Sequence, residues 1–158
     1  VEIAALADIP LPQGLRHRLE QGIARQLPPN AADPGRLGLA AFARQIRGAG
    51  HAMSTGNQLS RLMQQIPGSD ADERLDVMAW YFPTLALRET RDRRWRRWND
   101  GLEKTLITAM HSGSNGEVWL PGSRVRYAQS FGPAADLMAT AMAVLNLQAS
   151  YRYLPLRG

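Results

Sequence analysis

Apolar residues recur three and four positions apart in run after run of this chain, and nearly every run is closed by proline or glycine. That spacing places side chains on one stripe of an α-helix. Pro and Gly are the residues that stop a helix. Leu15, Leu19, Ile23 and Leu27 form the first stripe, ended by Pro28-Pro29. Asp33 offers an N-cap, with Pro34 at the first helical position, ahead of Leu37, Leu39, Ala40, Ala43 and Ile46. Gly48 and Gly50 close that second run. Ser54 or Thr55 starts a third, which carries Leu59, Leu62, Met63 and Ile66 before Pro67-Gly68. Ser69-Asp70 opens a fourth with Leu75, Met78, Ala79, Phe82, Leu85 and Ala86, and Pro83 inside it is expected to kink or divide the helix. A fifth runs from about Arg93 to Met110, with Trp95, Trp98, Leu102 and Leu106 on one face. Residues 111–132 are rich in Gly and Ser and predict a long connection. A last helix begins near Pro133 and stops at Pro155. No strand alternation lasts long enough to compete. The expectation is an all-α fold of about six helices, paired by short turns into three αα-hairpins within one domain spanning 1–158.

The chain has 158 residues, enough for a real core, with ordinary hydrophobic (44%) and charged (21%) fractions. It has no cysteine, which removes disulfides, thiolate metal sites and cysteine nucleophiles together and leaves the compartment open. No apolar run approaches the ~20 residues of a membrane-spanning helix. No charged n-region and h-region stand at the start, so no signal peptide is expected, and a first residue Val1 suggests a trimmed or a processed chain. The net charge of +5 comes almost wholly from arginine. Such an excess suits nucleic acid or another anionic surface, and equally an ordinary solvated face.

Several segments share a known order: Met78-Ala79-Trp80-Tyr81-Phe82-Pro83-Thr84-Leu85-Ala86-Leu87, then Trp95-Arg96-Arg97-Trp98-Asn99, then Gly116-Glu117-Val118-Trp119. Ala139-Thr140-Ala141-Met142-Ala143-Val144-Leu145-Asn146-Leu147-Gln148 and Tyr151-Arg152-Tyr153-Leu154-Pro155 complete it. Over residues 76–155 the chain resembles bacterial proteins with the prenyltransferase/squalene oxidase repeat, built on a terpenoid cyclase-like α/α toroid. The resemblance implies an arc of αα-hairpins in which the loop tryptophan packs over a hairpin end. This chain departs from it at Met110, where the repeat carries Gln, at Pro83, where its helix runs on, and in extra residues before Gly116. Those departures mark a divergent repeat that keeps its packing.

The sharpest chemical candidates are Asp70, Asp72 and Glu73, which resemble the acid motif of class II terpene cyclases, with Asp72 as the acid. Acidic residues also routinely cap helix starts, and that simpler role is favoured here. His17, His51 and His111 lack metal-ligand spacing, and no metal or cofactor is expected. Gly48-Ala49-Gly50 is too short for a phosphate loop, and no nucleophile elbow is present. Trp80, Tyr81 and Trp119 are candidates to line a pocket for an apolar ligand, against the commoner role of core aromatics. Arg93, Arg94, Arg96 and Arg97 are candidates to bind nucleic acid or an acidic partner. The expected function is a non-catalytic binding or scaffolding module within a larger protein. The alternatives are an isoprenoid-cyclase-like enzyme fragment and a nucleic-acid-binding domain.

Overall fold

The computed structural model describes residues 33–46, 50–68 and 74–152, positions 12, 14, 15, 18 and 21, and only the backbone of 150–152. The fold is all-α. Its helices among these residues are α1 (Pro34–Ile46), α2 (Met53–Leu62), α3 (Val77–Arg88), α4 (Arg93–Ala109) and α5 (Ala135–Arg152). Most of the first expected helix lies outside the described residues, as do Pro155 and the terminal tyrosine segment.

A capping aspartate sets the starts of α1 and α3. Asp33 Oδ1 accepts the Arg36 amide at 2.8 Å, and Pro34 follows as the first helical residue, as expected. Asp76 Oδ1 accepts the Ala79 amide at 3.2 Å, so α3 begins at Val77 and not at Ser69-Asp70. Ala52 precedes α2 without a side-chain cap, so the helix starts slightly ahead of the expected Ser54. Ile66 falls beyond the end of α2.

Helix α3 is the hub. It packs most extensively against α1, then α5, and it carries α4 beside it. Val77, Trp80, Thr84, Leu85, Ala86 and Leu87 are buried around most of its circumference. Pro83 neither divides this helix nor ends it. Gly38 of α1 sits directly over the proline, so a Cβ there would lie 2.6 Å from Pro83 Cα and closer still to its N and Cδ. Proline gives up one helix hydrogen bond, and the tight crossing with α1 replaces it with backbone-to-backbone packing.

The 111–132 connection is not plain loop. His111–Ser112 and Val118–Trp119 pair as a short antiparallel ladder, followed by 3-10 turns at Gly122–Arg124 and Ala128–Ala134. Leu75, on the approach to α3, bonds this connection through both backbone groups: its amide donates to the Arg124 carbonyl, and its carbonyl accepts the Arg126 amide, both at 2.8 Å. The connection is thereby stitched to the start of α3.

Candidate functional site

The side chains that carry the motifs converge inside the bundle. Trp98 on α4 is fully buried, and its Nε1 donates to Thr84 Oγ1 on α3 at 3.0 Å. The Thr84 hydroxyl has one proton and two acceptors in reach, the Trp80 carbonyl at 2.7 Å and Asn146 Oδ1 at 3.2 Å. Asn146 on α5 donates through Nδ2 to the Val77 carbonyl at 2.8 Å and the Met142 carbonyl at 2.9 Å. Three helices are thus joined by one buried polar cluster. Buried polar groups of this kind are tolerable only when satisfied, and then they fix a single packing. Sequence reasoning passes over Thr84 and Asn146. The available signal is an amide inside the otherwise apolar stretch Ala139–Leu147.

A second set of bonds fastens the Trp119 loop to α5. Leu120 donates its amide to Thr140 Oγ1 at 3.0 Å, and Gly122 donates to Asp136 Oδ1 at 2.7 Å. Trp119 itself is half-buried on the short ladder, 6.0 Å from the His111 ring across the pair.

The three aromatic candidates are not brought together. Trp80 is only 8% exposed and belongs to the core. It closes a cleft of about 330 Å³ lined also by Asp33, Ile66, Arg74, Asp76 and Arg126. Arg126 Nη1 lies 3.8 Å from Asp76 Oδ2 at its rim. Tyr81 lies on another side of α3, edge-on to Phe82 at 5.4 Å, and Phe82 faces Phe42 of α1 at 6.5 Å. A second cleft, of about 380 Å³, lies between the loops that precede α2 and α4, with Gln45, His51, Met53, Glu89, Thr90 and Arg94 on its walls. Gln45 Nε2 donates to the Ala86 carbonyl at 2.9 Å, whereas its Oε1 is buried without a protein partner. Neither cleft is lined by Tyr81 or Trp119.

Asp70, Asp72 and Glu73 lie outside the described residues, between Gly68 and Arg74 in sequence. Among the described residues no three His, Asp or Glu side chains are grouped to hold a metal ion. No described helix is long and apolar enough to cross a membrane.

The four arginines divide. Arg94 is committed to the helix start. Asp92 Oδ1 accepts its backbone amide at 2.7 Å, and Asp92 Oδ2 accepts from Arg94 Nε at 2.9 Å and faces Nη2 at 2.7 Å. The Arg94 side chain is the main reason that the Asp92 carboxyl is lowered to about 2, helped by the Arg94 amide and the Thr90 hydroxyl and opposed by desolvation. Arg93, Arg96 and Arg97 are exposed, as is Arg91, which enters α4 from a left-handed φ of 50°. None of these four has an ion-pair partner among the described residues. Trp95 is half-buried against the core, not wholly inward as the spacing predicts. Comparison of the chain with family models, with curated proteins and with solved structures gives no match.

Proposed function

We propose that this chain is a divergent α/α-toroid-like arc that serves binding or assembly and not catalysis. One observation carries the proposal: the residues behind the resemblance are spent on joining helices. Trp98 is tied to Thr84, Asn146 to α3, and the Trp119 loop to Thr140 and Asp136. The layout agrees with an arc. Helices α1, α3 and α5 pack in succession, and α2 and α4 attach chiefly to α1 and α3, the helices before them. The test is incubation of the protein, and of Asp72→Asn, with apolar isoprenoids, with products read by mass spectrometry. No product from either is expected. Turnover by the parent that disappears in Asp72→Asn would establish the cyclase-like alternative.

The arginines of α4 favour one further use, capture of an acidic or nucleic-acid partner. Arg93, Arg96 and Arg97 crowd the first turns of a helix, where the helix dipole already presents positive charge. Cations there oppose folding slightly, and they project a basic patch over the first turns, with Asp100 at its far edge. Fluorescence anisotropy with short single-stranded and duplex oligonucleotides would measure this, with affinity falling as salt rises. Absent or salt-independent binding would remove the idea.

A further inference from the structure

The tip of the short ladder after α4 is built on the dipeptide Asn115-Gly116. Ser112 pairs with Val118, the Gly113 amide donates to the Glu117 carbonyl at 2.8 Å, and the Gly116 amide donates to the Gly113 carbonyl at 3.2 Å. The loop is therefore Ser114-Asn115-Gly116, closed by Gly116 in the left-handed region at φ 83°. The backbone demands glycine there, because that conformation is strained for other residues. Asparagine before it suits a turn. The pair that the turn asks for is also a pair open to attack by its own main chain.

Little shields it. Residues 114–118 are all exposed, and apart from chain neighbours no atom lies within 4 Å of the place where a Cβ of Gly116 would stand. The Gly116 amide is held by one bond at the long end of the hydrogen-bonding range. Once that bond opens, the nitrogen can turn toward Asn115 Cγ with no side chain on Gly116 in the way. We propose that Asn115 is a site of spontaneous main-chain modification, with solvent water as co-reactant. The Gly116 nitrogen forms a bond to Asn115 Cγ, the Cγ–Nδ2 bond breaks, and ammonia leaves with the proton that the amide gives up. Water then opens the five-membered succinimide. Opening at one carbonyl yields aspartate, and at the other isoaspartate, whose main chain is one carbon longer. Either product adds a negative charge to a chain of net charge +5.

The consequence is confined to the hairpin. An extra main-chain carbon in so short a loop breaks the Gly113–Glu117 fit, and with it the opposition of His111 to Trp119. Beyond the hairpin, the Leu120 and Gly122 amides stay fastened to Thr140 and Asp136. Asp100-Gly101 offers the same following residue in another backbone. The Gly101 nitrogen lies inside α4, held by the helix ladder, and Ile66 and Pro67 crowd its Cα. The inference rests on the hairpin alone and holds whatever the module binds.

The test is incubation of the whole chain in warm, mildly alkaline buffer, beside a synthetic peptide of residues 109–121. Tryptic mapping by mass spectrometry separates the two places, in fragments 105–124 and 98–104. Aspartate and isoaspartate should accumulate at Asn115 of the folded chain within roughly tenfold of the peptide's rate, because the tip opens without the bundle. The rate should climb with pH, since the attacking amide must shed its proton. Asn115→Gln should stay unmodified, and Asp100 should isomerise only when the chain is unfolded in urea. The converted protein should keep the parent's urea midpoint. A folded chain whose Asn115 stays an amide overturns the inference, whatever the peptide does. So does equal conversion at Asp100 in the folded chain, or a converted protein that has lost its helical circular dichroism.

Discussion

Replacing Gly38 by alanine should destabilise the protein, although alanine is the better helix former. In an exposed helix interior the exchange gains about 1 kcal/mol. At Gly38 the new methyl would stand 2.6 Å from Pro83 Cα and nearer to the proline ring nitrogen. Those atoms belong to backbone and a rigid ring, so the only relief is to separate α1 from α3, the most extensive helix contact in the fold. Overpacking of this kind costs about 1–3 kcal/mol, and a backbone obstacle argues for about 3. The net loss is about 2 kcal/mol, or roughly 4–8 °C in Tm for a chain of this size. Gly56 is the internal control. It lies in α2 with nothing within 4 Å of its would-be Cβ, so Gly56→Ala should gain about 0.5–1 kcal/mol. Urea titrations followed by far-UV circular dichroism would give both shifts as changes in midpoint at constant slope. A Gly38→Ala protein as stable as the parent, alongside a stabilised Gly56→Ala, would mean that α1 does not cross α3 at Pro83.

Further consequences are open to measurement. Thr84→Val keeps the shape but strands the Trp98 indole N–H and Asn146 Oδ1, and should cost about 2–4 kcal/mol in a denaturant titration. Asp92 has a folded pKa of about 2, below its ordinary value of 3.8. The stability it contributes is therefore present above pH 4 and is lost as pH falls from about 4 towards 2. Thermal melts across that range should show a shallower loss for Asp92→Asn, which keeps a capping side chain. Arg93→Glu with Arg97→Gln should raise stability by roughly a few tenths of a kcal/mol, through relief at the helix N-terminus, while weakening any oligonucleotide binding. The two readouts moving in opposite directions would mark the arginines as placed for binding.

The helices are legible in the sequence because their stripes and stops are local. Asp33 and Pro34 start α1 as their types demand, and Arg93–Ala109 forms the expected fifth run. What cannot be read there is long-range. Pro83 breaks a helix in isolation, and the glycine that lets α1 cross directly over it stands far away in sequence, on another helix. The start of α3 differs from the expected one because Asp76, immediately before Val77, bonds the Ala79 amide. Trp80 is turned into the core by its position along α3, and only its remaining edge closes the cleft beside Asp76. Adjacent Tyr81 points elsewhere, so neighbouring candidates never meet. Periodicity assigns faces, and it does not say which face another helix will cover.

The proline in α3 also bears on how the molecule comes to exist. Its central helix is the one least able to form alone, with Pro83 in the middle and a run of aromatic and β-branched residues around it. Isolated, it would be disfavoured by about 3 kcal/mol from the proline alone. It must acquire helical shape as α1 and α5 close on it. Deleting either flank should then melt the whole bundle in one step, leaving no partly folded core behind.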